Sequence, residues 1–165
     1  MDLEGLHTHL DGIKSLLSHL HCELSSLERG LEEALHRFKA LEARAARDDL
    51  TGLFRRETFA REAERLRQKS AAESRGFSIL MVDIDQFKLL NDRLGHLAGD
   101  QTLIRVSEIL KRFESPDCVV GRFGGEEFIV AFSGSAAQAT ALAEWMRRAV
   151  ENMNSDAIRV TVSVG

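Results

Sequence analysis

The sequence predicts an α+β fold, in which a central sheet containing antiparallel strands packs against helices and follows a long coiled-coil helix. Three observations predict it. The N-terminal third carries an apolar heptad pattern, the remainder alternates short apolar segments with amphipathic ones, and a Gly-Gly turn separates two β-prone segments at 119–120 and 128–132. We expect a dimerisation and signalling helix at residues 1–47 and a globular domain at 48–165.

The N-terminal segment predicts a coiled coil because its apolar residues alternate in steps of three and four. One helix cannot bury such a stripe alone, and we expect a parallel homodimer through residues 3–45. An antiparallel hairpin broken near Ser25-Ser26 or Gly30 is the alternative, which the unbroken pattern disfavours. An upstream sensor or partner could act through this helix. The apolar positions are Leu3, Leu6, Leu10, Ile13, Leu17, Leu20, Leu24, Leu27, Leu31, Ala34, Phe38, Leu41 and Ala45.

Five of the six histidines also lie in this segment, where His19 and Cys22 share a helix face three residues apart. That spacing would permit a metal-binding sensor. The histidines lie outside the apolar seam, however, and we interpret them as solvated surface residues.

The first half of the globular domain predicts a helix, a buried strand and further helices. Asp48–Leu53 combines Asp, Thr and Gly, which favour a turn. Residues 55–68 have a helical apolar period, and the apolar run 77–82 predicts a buried strand that delivers Asp83 at its end. A loop then turns into a helix, and residues 97–100 break the chain before the next helix.

The second half predicts a β-hairpin with glycines at its tip, a helix at 136–153 and a strand at 158–164 that alternates apolar and polar residues. The element order is therefore β-α-α-β-β-α-β. This order matches a split βαβ plan, ferredoxin-like or palm-like, with helices on one face of the sheet.

In that plan the first strand is a neighbour of the hairpin, and we expect Asp83 to lie beside Glu126. Two carboxylates and a backbone carbonyl form a hard oxygen site, which suits Mg²⁺ or Mn²⁺ together with substrate phosphates. Backbone N–H groups at the following helix start favour phosphate oxygens, and Lys88 adds positive charge. Paired metal ions activate hydroxyls and stabilise leaving phosphates, so the pattern predicts nucleotidyl transfer.

Composition excludes other classes of protein. The chain has 165 residues and a formal charge of −4, and it lacks the clustered positive charge of a general nucleic-acid-binding surface. No apolar stretch reaches the ~18 residues that would suggest a membrane span. Cys22 and Cys118 lie far apart, and the N-terminus lacks a signal-peptide pattern. We expect no disulfide framework and a cytoplasmic location.

Five segments of the sequence resemble the GGDEF family, the diguanylate cyclases. They follow one another in the family's order and together cover residues 48–165. The segments are Asp-Asp-Leu-Thr-Gly-Leu at 48–53, Val-Asp-Ile-Asp-Gln-Phe-Lys at 82–88, Asn-Asp-Arg-Leu-Gly-His-Leu-Ala-Gly-Asp at 91–100, Arg-Phe-Gly-Gly-Glu-Glu-Phe at 122–128 and Val-Thr-Val-Ser-Val-Gly at 160–165.

The resemblance implies that two GTP molecules, one on each protomer of a dimer, condense to cyclic di-GMP with release of two pyrophosphates. It implies two Mg²⁺ or Mn²⁺ ions per site, held by Asp83, Glu126 and the carbonyl of Ile84. Glu127 is implied as a further acidic ligand, and Glu126 also as a group that helps deprotonate the attacking 3′-hydroxyl. The implied catalytic residues are Glu126, Glu127 and Lys88.

The resemblance also implies a set of substrate-binding residues that read the guanine base and contact the phosphates. Plainer roles remain open for several of them. Asn91 could be a turn residue, and Asp100 could cap the helix that follows it. Lys88 could be a solvated helix charge, and Phe87 could belong to the core. The implied set is Gln86, Phe87, Lys88, Asn91, Asp100, Gly124 and Gly125.

The sequence departs from the family pattern in two places. The register of the family's inhibitory Arg-x-x-Asp product site holds Ser115-Pro116-Asp117-Cys118, so we expect no feedback inhibition there. The family continues past the last strand into a helix with basic residues, whereas this sequence stops at Gly165, which suggests a truncated domain with weak or no turnover. The alternative functions are a catalytically inactive regulator that binds GTP or a protein partner, and a scaffold.

Overall fold

The structure is a computed structural model that describes residues 3–153 and 160–165. Its contacts divide the chain into two units, one ending at Arg44 and the other spanning Ala45–Gly165. None of the helices within the described residues combines the length and hydropathy needed to cross a membrane.

The first unit is a single helix, α1, over Leu3–Ala45. At about 1.5 Å per residue it is roughly 60 Å long. It continues without a break through Ser25 and Gly30, so the alternative of an antiparallel hairpin is wrong. Leucines of the heptad seam are exposed along it, and Leu27 is 70% exposed. This helix therefore fits the predicted coiled coil, since it presents an apolar stripe that it cannot bury itself.

The second unit is a five-stranded sheet with four helices, in the strand order β1-β3-β4-β2-β5. Strand β1 pairs with β3 in parallel, and every other pairing in the sheet is antiparallel. The predicted α+β class and the order β-α-α-β-β-α-β are confirmed, and the two-residue strand β1 is an addition. The elements are β1 Phe54–Arg55, α2 Arg56–Ala72, β2 Phe77–Ile84, α3 Phe87–Leu94, α4 His96–Lys111, β3 Cys118–Gly124, β4 Glu127–Ser133, α5 Ala136–Glu151 and β5 Val162–Val164.

Helices cover both faces of this sheet, so the prediction of helices on one face is wrong. Phe128 and Val130 of β4 lie in the main core with α4 and α5, and both are fully buried. The alternate residues Ile129 and Ala131 pack on the opposite face against Phe59 and its neighbours on α2. The continuous apolar run 128–132 was the sequence signal, because a strand buried on both faces does not alternate.

Several predicted boundaries also shift. Helix α2 extends to Ala72, beyond the predicted end at 68. The break between α3 and α4 lies at Gly95, whose φ of +83° suits glycine, and not at 97–100. Strand β5 is limited to Val162–Val164, and residues 158–159 of the predicted strand lie outside the described residues.

Candidate active site

The β3–β4 hairpin ends in a turn at Gly125 and Glu126, as the paired glycines predict. Gly125 has a φ of +47°, a conformation that strains residues with a side chain. A β-carbon placed on Gly124 or Gly125 would meet no atom within 4 Å. The space above the tip is therefore open, and a flat or phosphorylated ligand could approach the backbone there.

Strand β2 brings Asp83 beside the acidic residues of this hairpin. The register partner of Asp83 is Glu127, and Glu126 lies next to it in the turn. Loss of hydration raises the pKa of Asp83 above its ordinary value, and the negative charges of Glu126, Glu127 and Asp85 raise it further. The carboxylates therefore repel one another, and a bound divalent cation would relieve that repulsion.

The donor set suits a metal ion that is completed by substrate. Among residues 3–153 and 160–165, no group of three or more His, Cys, Asp or Glu side chains is arranged to hold a metal by itself. Mg²⁺ in nucleotide sites commonly uses one or two carboxylates, waters and the substrate phosphates. Ile84 is 1% exposed with its side chain in the core, so it could contribute only its backbone carbonyl. Asp83 and Glu126 with this carbonyl fit such a site.

The predicted phosphate loop joins β2 to α3. Gln86 adopts a left-handed conformation, with φ of 56°, and directly precedes the helix. The first N–H groups of a helix have no acceptor within it, so those of α3 are available to an anion. Phe87 is 8% exposed and its side chain belongs to the core, whereas Lys88 is exposed in the first turn.

The predicted base-binding residues, Asn91 and Asp100, lie on α3 and α4, two helices that pack against each other. The side-chain oxygen of Asn91 is buried and has no hydrogen-bond partner. It lies against Gly99, where any β-carbon would collide with it. A buried acceptor without a donor is costly, so this oxygen suits a ligand that supplies one. Asp100 follows Gly99 inside α4 and is exposed, so its proposed role as a helix cap is wrong.

A protein-family model covers the part of the chain that contains this hairpin. The family model described as "Diguanylate cyclase, GGDEF domain" matches residues 45–165. The chain belongs to the GGDEF family.

Curated relatives and solved structures agree with this assignment. The chain is 38% identical over 140 residues to the probable diguanylate cyclase DgcT of Escherichia coli, covering 79% of this chain and 30% of that protein. It is 43% identical over 101 residues to diguanylate cyclase A of Treponema denticola, covering 58% of this chain and 27% of that one. The chain thus spans less than a third of the length of these two relatives.

Among solved structures, the coiled coil and GGDEF domain of DgcB from Caulobacter crescentus, in complex with c-di-GMP, superposes with a TM-score of 0.75. It is 28% identical, and the match covers 88% of this chain and 81% of that one. The diguanylate cyclase SiaD of Pseudomonas aeruginosa, in complex with its activator SiaC, gives a TM-score of 0.67 at 27% identity. That match covers 99% of this chain and 70% of that one.

The GGDEF domain contains an ion pair that the sequence analysis did not anticipate. Arg122 donates one hydrogen bond to Asp48 Oδ1, at 2.9 Å, and another to the carbonyl of Gly125, at 2.8 Å. Burial opposes ionisation of Asp48, but hydrogen bonds from Thr51 and Arg122 lower its pKa below the ordinary value. The turn after α1 is thereby tied to the tip of the hairpin.

A second unanticipated cluster joins β2 to the segment around β5. Thr161 Oγ1 and Ser163 Oγ each donate to a different oxygen of Asp85, both at 2.6 Å. The backbone N–H of Asp85 also donates to the carbonyl of Thr161, at 3.0 Å. The Asp-x-Asp spacing of Asp83 and Asp85 was the available signal, but only the first aspartate faces the hairpin carboxylates across the ladder.

The register of the family's inhibitory site contains a local ion-pair network. Asp117 Oδ1 lies 3.0 Å from Lys69 Nζ, and Asp117 Oδ2 lies 2.9 Å from Arg75 Nη1. Hydrogen bonds from Lys69 and Arg75 lower the pKa of Asp117. Both carboxylate oxygens of Asp117 are therefore already paired with cations of the same chain.

Proposed function

We propose that this GGDEF domain condenses two GTP molecules into cyclic di-GMP and two pyrophosphates, with one GTP bound by each protomer of a dimer. The observation that carries the proposal is the pairing of Asp83 with Glu127 across the sheet, next to Glu126 in the turn and beside the open Gly124–Gly125 tip. Each domain offers one such acidic cluster, and joining two nucleotides requires two of these clusters to face each other.

In this proposal Asp83, Glu126 and the carbonyl of Ile84 hold Mg²⁺ or Mn²⁺, two ions per site, with Glu127 as a further acidic ligand. When bound, such ions stabilise charge on the phosphates and make the attacking hydroxyl more acidic. Glu126 accepts the proton of the 3′-hydroxyl. Lys88, exposed at the start of α3, neutralises phosphate charge that develops as pyrophosphate leaves.

The nucleotide is oriented from both of its ends. The backbone N–H groups at Gln86 and Phe87 bind phosphate oxygens, as the open start of α3 allows. Asn91 and Asp100 bind the edge of the guanine, and the buried, unpartnered oxygen of Asn91 supports that role. On the edge that these residues contact, guanine carries N–H donors that match the oxygens of Asn91 and Asp100. Adenine carries its amino group at a different position, so Asn91 and Asp100 together favour GTP. Gly124 and Gly125 leave room for the nucleotide.

The stalk, as we call helix α1 over Leu3–Ala45, controls the reaction by bringing the two half-sites together. We infer a parallel homodimer through residues 3–45, because the exposed leucines of α1 follow a heptad seam. A twist or shift of this coiled coil would change how the two acidic clusters face each other. An upstream sensor or an activator protein could supply that change, and SiaD is a relative that binds an activator. The proposed substrate, GTP, implies a cytoplasmic location.

The test is to incubate the chain with GTP and Mg²⁺ and to identify the products by mass spectrometry. We expect cyclic di-GMP from the wild type, none with EDTA, and at least a ~1,000-fold slower rate for Glu126→Gln. Glu108→Gln, an exposed carboxylate in the second half of α4, is the matched control and should match the wild type. Binding of GTP without product would instead identify a regulator, and no binding would overturn the proposal.

A further inference from the structure

Asp85 is held at both carboxylate oxygens by hydroxyl groups near the edge strand β5. The two O···O distances of 2.6 Å, from Thr161 and Ser163, are typical of a hydroxyl donating to an ionised carboxylate. A third bond, from the Asp85 backbone to Thr161, reinforces them. We name these three residues the β5 clamp.

The alternation along residues 160–163, which lead into β5, explains how the clamp forms. Val160 and Val162 are 3% and 2% exposed and contribute to the main core. The intervening residues, Thr161 and Ser163, must then point to the other side, where both reach Asp85. Aliphatic residues suffice at the core positions 160 and 162, whereas holding a carboxylate requires hydrogen-bond donors at 161 and 163, which the two hydroxyl groups supply.

The clamp lies between the two halves of the proposed nucleotide site. Asp85 directly follows Ile84, whose buried side chain anchors the last residue of β2. It directly precedes Gln86, which takes a left-handed turn into the start of α3. Asp85 therefore lies within two residues of both groups of the site. These are the Ile84 carbonyl, which would bind a metal ion, and the N–H groups of Gln86 and Phe87, which would bind phosphate.

We propose that Asp85, through Thr161 and Ser163, is a positioning residue that fixes the loop from Ile84 to Phe87 in the conformation that receives the nucleotide phosphates. The inference rests on the proposed function. Strand β5 itself does not depend on the clamp, because its backbone pairs with Val82, Asp83 and Ile84 and its valines fill the core. Removing the hydroxyls should therefore disturb the loop more than the fold.

The experiment compares the wild type with Thr161→Val/Ser163→Ala, which removes both donors and leaves Asp85 and the proposed ligands in place. Thr161→Ser is the conservative variant that retains the hydroxyl, and Glu108→Gln is the control. Binding of a fluorescent, non-hydrolysable GTP analogue is measured in the presence of Mg²⁺. Exchange of the Asp85 backbone amide hydrogen with solvent is followed by NMR. Thermal unfolding of each variant checks the fold.

We expect the double variant to bind the analogue about tenfold more weakly, since hydrogen bonds to a charged group are lost. Its Asp85 amide should exchange at least about tenfold faster. Thr161→Ser, which loses the methyl group but keeps both hydroxyls, should bind the analogue almost as tightly as the wild type, which loss of packing alone would not predict. If the folded double variant binds the GTP analogue with wild-type affinity, the positioning role is overturned. If its Asp85 amide hydrogen exchanges at the wild-type rate, the hydroxyl groups do not restrain Asp85.

Failure of the wild type to bind the analogue has a different meaning. It would reject the proposed function for this chain, and the positioning role would fall with it. The amide exchange would still decide whether the hydroxyl groups restrain Asp85, because that measurement needs no nucleotide.

Discussion

The stalk and the globular domain use similar apolar residues in opposite ways. In the domain, Phe128 and Val130 are fully buried by the same chain, whereas on α1 Leu24 and Leu27 are 55% and 70% exposed. Burying a leucine side chain fully contributes about 1.5–3 kcal/mol. The domain has this contribution within one chain, but the stalk gains it only from a partner. Stability should therefore be independent of protein concentration in the domain and dependent on it in the stalk.

The largest expected effect is in the domain core. Phe128→Ala would leave a cavity between the sheet and its helices, and we expect it to lower the free energy of unfolding by about 3–5 kcal/mol. Urea unfolding of the domain measures this loss. The stalk variant Leu24→Ala is the matched comparison and should leave the domain transition unchanged. Equal losses from the two changes would show that the units are not independent in stability.

The next effect concerns the stalk. Leu20→Lys/Leu27→Lys puts charges on the seam, and we expect the dissociation constant of the dimer to rise at least ~100-fold, because buried leucine contacts are replaced by like charges. Sedimentation equilibrium measures it. Ser26→Lys adds one positive charge per chain outside the seam and should change association little. If both variants associate like the wild type, the seam is not the interface.

A smaller effect distinguishes a partly buried ion pair of the domain from an exposed ion pair of the stalk. Asp48 has a lowered pKa, so its ionised form stabilises the domain at neutral pH, and this contribution is lost as pH falls from about 4 through the native pKa. We expect Asp48→Asn to cost about 1 kcal/mol at pH 7 and much less at pH 2–3. Urea unfolding at both pH values measures the difference.

The matched control in the stalk is Glu33→Gln. Glu33 lies 3.8 Å from Arg37, and both side chains are largely exposed, so the pair should contribute less than about 0.5 kcal/mol at any pH. An effect of Asp48→Asn that does not vary with pH would show that its charge is unimportant.

The smallest effect is a difference in reactivity between the two thiols. Burial raises the pKa of Cys118 to about 12, whereas Cys22 on α1 is exposed. At pH 8 we expect a disulfide reagent to modify Cys22 rapidly and Cys118 only after unfolding, because the thiolate is the reactive form. Colorimetric titration, with Cys22→Ser as the control, counts the fast thiol. Two fast thiols in the native chain would contradict the buried core.

Sequence alone predicted the fold class, the order of the elements and the pairing of β2 with the hairpin. It predicted these because the heptad seam, the apolar runs and the Gly-Gly turn are local patterns. It missed the covered second face, although the unbroken apolar run 128–132 lacks the alternation of a strand with one exposed face. It also put the helix break at 97–100, because Gly99 and Asp100 look like breakers, although Gly95 supplies the positive φ.

The site was only partly predictable for a related reason. Asp83 and the hairpin carboxylates are marked by strand ends and turns, so their convergence follows from topology. The bonds of Asp85 to Thr161 and Ser163 join residues 76 and 78 positions apart in the sequence, and no local pattern specifies them. The same holds for the bond between Arg122 and Asp48, which spans 74 positions.

The claim that the stalk joins two half-sites is tested most directly by the rate of cyclic di-GMP formation per chain, measured as a function of protein concentration. If the stalk unites two half-sites, this rate should rise with concentration in step with the fraction of dimer. Leu20→Lys/Leu27→Lys should then be nearly inactive at concentrations where Ser26→Lys matches the wild type. Two results would contradict a composite site formed through the stalk. One is a rate per chain that is independent of protein concentration, and the other is equal activity of the two lysine variants.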